Sequence, residues 1–240
     1  MKQKLQIEVC LTPAVFEKYQ NPDSNVVVID ILRATSAICT AFMNGVDTLI
    51  PVRTLDEAKA MKEQGYLVAA ERDGLVKDFA DFGNSPFNFS KERVQGNTIV
   101  YSTTNGTNAI QMADTCNAVL IGSFLNLSAL EQYLVKNNRD VVLLCAAWKD
   151  KFNLEDTVFA GALAARLLSH ANFSTICDST HASVDLWNIA KKDLVGYMEK
   201  SAQRERLRKN NLDDVIPYCH TLDLTDTIPF LKDGKLILLT

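Results

Sequence analysis

The sequence predicts an α/β protein, a three-layer α/β/α arrangement around a largely parallel or mixed sheet. Two observations carry that reading. Short β-branched runs recur without polar alternation, as strands buried on both faces require. Each is followed by apolar residues at helical spacing, the alternation that covers both faces of such a sheet with helices. The 240 residues, 47% hydrophobic and 22% charged, have an ordinary globular composition and suit one domain spanning 1–240.

Val26-Val27-Val28-Ile29 is the first clear strand and ends at Asp30. Ala34, Ala37, Ile38, Ala41 and Phe42 then share a helical face, and Gly45 is a natural stop. Thr48 to Val52 reads as a strand. Leu55 to Gly65 reads as a helix with Ala58 and Met61 on one side and Glu57, Lys59 and Lys62 on the other. Leu67-Val68-Ala69-Ala70 is a strand ending at Glu71. Thr98 to Tyr101 repeats the theme, leading through Ser102–Thr107 into a helix with Ala109, Ile110 and Ala113. Ala118 to Ile121 is a strand, Ser128 to Val135 a helix, and Val141 to Ala147 the most apolar strand. Leu154 to Ser169 is a helix, and Lys235 to Leu239 reads as an edge strand. Placing Asp30 on Ser102 also places Arg33 on Asn105 and Thr35 on Thr107. Two similar βα subdomains, roughly 1–95 and 96–240, would explain this; chance agreement between two generic βα units would too.

The balance of 25 Lys+Arg against 29 Asp+Glu gives a net charge of −4, which argues against a general nucleic-acid binder. No stretch approaches the roughly 18 apolar residues of a membrane span, and MKQKLQIEVC lacks a signal-peptide core. Six scattered cysteines without a CxxC pair read as core thiols of a cytoplasmic protein. Lys191 to Lys209 is locally basic, either a solvated helix face or a rim that draws in an anion. Apolar strands at both termini and an ordinary charge are compatible with a homodimer.

Ligands of open α/β sheets bind at the carboxyl ends of strands, so the loops after Ile29, Ala70, Tyr101 and Ala147 are the places to seek chemistry. Asp30-Ile31-Leu32-Arg33-Ala34-Thr35-Ser36 offers a carboxylate for a divalent cation, with an Arg and two hydroxyls for phosphate at a helix start. The same Asp would equally cap the helix. Ser102–Thr107 offers hydroxyls and N–H donors, with Gly106 admitting a close approach, either as a phosphate cradle or as an N-capped turn. Glu71 is a second strand-end carboxylate, Gly83-Asn84-Ser85-Pro86 a turn, and Asn153 with Asp156 either a capping pair or a site for a third carboxylate. GxxxxGK[ST], GxGxxG and GxSxG are absent, and no histidine shows ligand spacing.

Taken in order, Asp30-Ile31-Leu32-Arg33-Ala34-Thr35-Ser36, Asn44-Gly45, Glu71-Arg72, Gly83-Asn84-Ser85-Pro86, Thr103-Thr104-Asn105-Gly106-Thr107, Gly122-Ser123 with Asn126, and Glu155-Asp156 with Ala160-Gly161 resemble the 2-phosphosulfolactate phosphatase family over about residues 7 to 230. The resemblance implies a Mg²⁺-dependent hydrolase acting on the small anionic phosphoester (2R)-2-phospho-3-sulfolactate. It would release 3-sulfolactate and phosphate, a step toward coenzyme M where that is made. The roles it suggests are Asp30, Arg33 and Asn105 in catalysis and Asp30, Glu71 and Asp156 as Mg²⁺ ligands. Thr35, Ser36, Asn84, Ser85, Thr104, Gly106, Thr107 and Arg72 would contact substrate, and Arg204 is an alternative further cation. A phosphatase of another phosphorylated hydroxy acid, or a non-enzymatic phosphometabolite binder, fits the same residues. The loop at Ala146-Ala147-Trp148 departs from the family pattern.

Overall fold

The structure, a computed structural model, describes residues 4–239. Among these, eleven strands join one sheet: β1 (Leu5–Cys10), β2 (Asn25–Ile29), β3 (Thr48–Pro51), β4 (Leu67–Arg72), β5 (Leu75–Val76), β6 (Thr98–Ser102), β7 (Ala118–Gly122), β8 (Val141–Cys145), β9 (Phe173–Ser174), β10 (Pro229–Lys232) and β11 (Lys235–Leu238). The helices are α1 (Ala34–Met43), α2 (Leu55–Glu63), α3 (Lys91–Val94), α4 (Gly106–Met112), α5 (Leu127–Asn137), α6 (Leu154–Leu168), α7 (Asp178–Ala190), α8 (Leu194–Tyr197), α9 (Ala202–Lys209) and α10 (Ile216–Cys219).

The strand order is β5-β4-β6-β3-β11-β10-β7-β2-β8-β1-β9. Strands β4-β6-β3 form one parallel block and β7-β2-β8-β1-β9 another. Between them lies the antiparallel β10–β11 hairpin, which pairs antiparallel with β7 through Phe230↔Leu120 and with β3 through Leu236↔Leu49. Three antiparallel steps separate the blocks, so they run in opposite directions. The sheet is mixed, as the sequence allowed, but the C-terminal strand is not at an edge. It sits at the centre because Asp233 and Gly234, both at positive φ, make the tight turn of a two-residue hairpin. That hairpin covers the inner edges of both blocks.

Alternate residues of β2 serve opposite cores, as a strand buried on both faces must. Val26 and Val28 pack with Ala37, Ile38 and Ala41 of α1 and Ala109 and Ile110 of α4. Val27 and Ile29 pack with Leu127 and Leu130 of α5 and Val158, Phe159 and Leu163 of α6. Ala58 of α2 covers Val68, Ala70 and Val100 in a smaller third cluster. Helix α2 starts at a complete capping box, Thr54 with Glu57. No helix among the described residues is long and apolar enough to cross a membrane, and all six cysteines are free.

The halves 1–95 and 96–240 do not separate in space. Strand β2 lies with β7 and β8, whereas β3 and β4 lie with β6. The segments β2-α1-β3-α2-β4 and β6-α4-β7-α5-β8 take corresponding places on either side of the hairpin, each crossing once from block to block. They touch where corresponding helices begin: a Cβ built on Gly106 would lie 2.8 Å from Ala34 Cβ and 3.0 Å from Asp30 Oδ2. Only one of these two positions has room for a methyl. Gly106→Ala should therefore lower stability by roughly 1–3 kcal/mol. Adding Ala34→Gly to the same chain should restore part of that loss in urea denaturation.

Candidate active site

The carboxyl ends of β2 and β6 arrive at one place although their blocks are antiparallel. The Tyr101 hydroxyl at the end of β6 donates to the Ala34 carbonyl at 3.3 Å. The cleft beside this junction, about 340 Å³ including open solvent, is lined by Asp30, Arg33, Glu71, Asn84, Thr104 and Asn105. Residues from the loops after β2, β4 and β6 thus converge, and Asn84 joins from the Gly-Asn-Ser-Pro turn.

Asp30 both caps and faces the cleft. Its N–H donates to Thr35 Oγ1 at 3.0 Å, and Oδ1 accepts the Ala34 N–H at 3.4 Å. Oδ2 lies against Gly106, so what the missing Cβ admits here is the carboxylate itself. Burial pushes the Asp30 pKa well up, and the charges of Asp156 and Glu71 add to this. Arg33, which follows a cis peptide bond, is 4% exposed and donates from Nη2 to the Gly74 carbonyl at 3.1 Å. Burial lowers its pKa and Glu71 opposes that. It keeps further donors beyond that one bond.

Two carboxylates hold the loops. Glu71 Oε1 accepts the Thr104 N–H at 2.8 Å and the Thr104 hydroxyl at 3.1 Å, while Oε2 accepts the Gly74 N–H at 2.6 Å. Asp156 Oδ1 accepts the Ile31 N–H at 2.9 Å, and Oδ2 accepts the Ala147 N–H at 3.2 Å and the Asn153 amide at 3.4 Å. Glu71 lines the cleft, whereas Asp156 is fully buried and does not. Asp156, expected as a metal ligand, is thus set apart from Glu71 by its absence from the cleft lining, and its hydrogen bonds pin the β2 and β8 loops.

The hydroxyls of Thr35, Ser36 and Thr107 are also turned inward. Thr35 Oγ1 takes the Asp30 N–H, Ser36 Oγ donates to the Ile31 carbonyl at 2.9 Å, and Thr107 Oγ1 donates to the Thr103 carbonyl at 3.1 Å. All three are buried and none lines the cleft; they shape the loops. Arg72 donates to the carbonyls of Glu71 and Arg53 and to Ser102 Oγ. Arg204 pairs with Glu199 at 2.6 Å. Neither is the second cation of the cleft. Ser85 lines an adjoining cleft instead.

Other residues reach the cleft, Trp148 from the loop after β8 that the sequence marked and Gln203 from a segment it did not. Trp148 lines it from a tight turn, in which Trp148 and Lys151 exchange backbone hydrogen bonds and Lys149 and Asp150 have positive φ. Ala147 shares that conformation at φ 59°. The turn meets its counterpart between β4 and β5, where Asp73 and Gly74 have positive φ and Asp73 pairs with Lys149 at 2.8 Å. Gln203 of α9 also lines the cleft, its amide donating to the Leu32 carbonyl at 2.9 Å. The Asp-Gly pair signals the first turn; no local pattern ties Gln203 to strand ends so distant in sequence.

Among the described residues no group of three or more His, Cys, Asp and Glu is arranged as a metal cage. The cleft's donors, Asp30 and Glu71, fit a hard dication held by one or two carboxylates and otherwise by water and substrate oxygens, the habit of Mg²⁺. The negative excess that raises Asp30 favours such an ion. Glu155, also buried, has Oε1 without a partner. Burial, with the charge of Asp30 adding, raises its pKa from 4.5 to about 7.

The chain matches the family model described as 2-phosphosulpholactate phosphatase over residues 10–234. A protein of Thermotoga maritima named "Probable 2-phosphosulfolactate phosphatase" is 38% identical over 212 residues, covering 88% of this chain and 91% of its own. Proteins of the same name from Caldanaerobacter subterraneus subsp. tengcongensis and Clostridium acetobutylicum are 37% and 30% identical. The first covers 88% of this chain and 89% of its own length, the second 97% and 100%.

Asp156→Asn places an amide against two backbone N–H donors and should cost roughly 1–3 kcal/mol in urea unfolding. The folded state holds the Glu155 proton more tightly than the unfolded chain does. Stability therefore falls as pH rises from 4.5 to about 7, and the loss is complete above that. Glu155→Gln should flatten this part of the stability–pH curve.

Proposed function

The chain belongs to the 2-phosphosulfolactate phosphatase family of phosphoric monoester hydrolases; from that premise we propose that it hydrolyses the phosphate ester of a 2-phosphorylated hydroxy acid, 2-phospho-3-sulfolactate above all, with Mg²⁺ as cofactor. The observation that carries this is convergence. Asp30 and Arg33 from the β2 loop and Asn105 from the β6 loop line one cleft, a carboxylate, a guanidinium and an amide on a single reacting group.

A phosphomonoester reacts through a transition state with charge spread over its equatorial oxygens, so positioned cations and donors matter more than a strong nucleophile. Mg²⁺ held by Asp30 and Glu71 would supply charge neutralisation at the phosphoryl group. Arg33 donates its remaining N–H groups to phosphoryl oxygens. Its fork is aimed by the Gly74 carbonyl and needs no reorganisation. The Asn105 amide, whose Oδ1 accepts the Lys149 N–H at 3.4 Å, turns its NH₂ toward the ester. Asp30 orients the attacking water. Water adds to phosphorus as the ester P–O bond breaks, and the hydroxy acid leaves with the proton.

Strand-end carboxylates distinguish this reading from simple phosphometabolite binding, because without a cation they repel the ligand. Asp30→Asn should leave the unfolding midpoint near that of the parent. It should lower phosphate release from 2-phosphosulfolactate by about 10³-fold, the scale of losing one charge-stabilising group. Protein freed of divalent ions should be inactive and regain turnover on addition of MgCl₂. Full activity in either preparation removes the metal assignment.

A further inference from the structure

Helix α9 carries Arg204, Arg206, Arg208 and Lys209, and all but Arg206 face acids. Arg204 pairs with Glu199, Arg208 with Glu199, Glu205 and Asp213, and Lys209 with Glu205. Among the described residues no carboxylate lies within ion-pair distance of Arg206. Its side chain turns inward: Nε donates to Gln203 Oε1 at 2.7 Å, and the guanidinium lies over the Trp148 ring, with Cζ 4.5 Å from the centroid. Both partners line the cleft.

Each partner stands one step from a residue assigned to the phosphoryl group. Gln203 Nε2 donates at 2.9 Å to the Leu32 carbonyl, which belongs to the peptide leading into Arg33. With the Arg206 N–H on Oε1, the Gln203 amide has a single orientation, its NH₂ toward Leu32. Trp148 is followed by Lys149, whose N–H donates to Asn105 Oδ1 at 3.4 Å. A guanidinium set over an indole face holds the ring by cation–π attraction. Lys149 Nζ also approaches that ring, at 5.3 Å, but is paired with Asp73 at 2.8 Å, and the closer contact is that of Arg206. Arg206 thus reaches two different loops, through one intermediary to each. Burial lowers its pKa and the charge of Glu155 opposes that. Burying a guanidinium with Nη2 left unpartnered costs stability, as positions shaped for function do.

We propose that Arg206 is a positioning residue of the cleft: by holding Gln203 and Trp148 together, it fixes the aim of Arg33 and Asn105 at the phosphoryl group. The inference rests on the phosphatase reading. It divides the basic stretch from Lys191 to Lys209 into ion-paired surface residues and one arginine that acts through the cleft wall.

Arg206→Lys separates position from charge. Lysine stays positive but has no planar fork to lie over an indole and donate to Gln203 at once. With the Mg²⁺-supplemented protein and 2-phospho-3-sulfolactate, kcat should fall about 10²-fold with KM little changed, the scale and pattern of a misplaced reacting group. Gln203→Met should show the same split. The two changes combined should lose less than the sum of their separate effects, because the residues act as one unit. In a Trp187→Phe background Trp148 is the remaining tryptophan, and Arg206→Lys should shift its emission to longer wavelength. Parent-like kcat in Arg206→Lys, a loss confined to KM, additive losses or unchanged Trp148 emission overturns the proposal and leaves the phosphatase reading standing. Should Arg206→Lys not fold, the kcat and KM of Gln203→Met decide by the same criteria. Absence of hydrolysis by the parent protein overturns both.

Discussion

Two buried carboxylates hold the site together, and each does the same work. Loops at the carboxyl ends of parallel strands carry N–H groups that no strand ladder satisfies. Glu71 gathers the N–H groups of Thr104 and Gly74, tying the β6 loop to the β4 turn. Asp156 gathers those of Ile31 and Ala147, tying the β2 loop to the β8 turn. Strands β4 and β6 are neighbours, as are β2 and β8, so each clamp spans one adjacent pair. A carboxyl group suits this task because its two oxygens can each accept from a different loop. The cost of burying Asp156 near two other acids appears in its own pKa, pushed well up by burial and by Glu155.

The clamps are related by the arrangement about the central hairpin, and so are the helix starts that meet there. Helix α1 begins at Ala34 and α4 at Gly106, and the two touch. The strand-end residues are not alike, because Asp30 stands where the other unit has Ser102. One unit contributes a carboxylate and an Arg, the other hydroxyls and an amide, and the absence of a Cβ at Gly106 lets them share one cleft. The similarity brings the loops together; the differences make the cleft chemically useful.

Much of this was legible in the sequence, for local reasons. Strand β2, helix α1 and the polar β6 loop announce themselves through β-branching, helical spacing and turn residues, which depend on near neighbours alone. Asp30, Arg33, Glu71, Asn84, Thr104 and Asn105 were picked out and do line the cleft. Thr35, Ser36 and Thr107 do not line the cleft, because a hydroxyl at a helix start serves the backbone as readily as a ligand. For Asp156 the sequence offered either a capping pair with Asn153 or a third carboxylate of the site; the Asn153 contact is present, and its partners Ile31 and Ala147 come from other elements. The place of β11 was missed although Asp233-Gly234 is a strong hairpin signal. A terminal strand looks like an edge until the turn before it is given weight. The Trp148 loop was marked by its place after a strand, whereas Gln203 depends on tertiary approach, which no short window of sequence records.

The charges of the cleft also bear on how ion and ester would load. Asp30 and Glu71 line it, with Glu155 and Asp156 buried close behind, and Arg33 is the basic residue on its wall. A phosphomonoester arriving alone meets a field of its own sign. A dication arriving alone meets carboxylates but leaves Arg33 unpaired in a buried position. Arriving together, each neutralises what the other finds unfavourable, so on the proposed reading each tightens the binding of the other by the same factor.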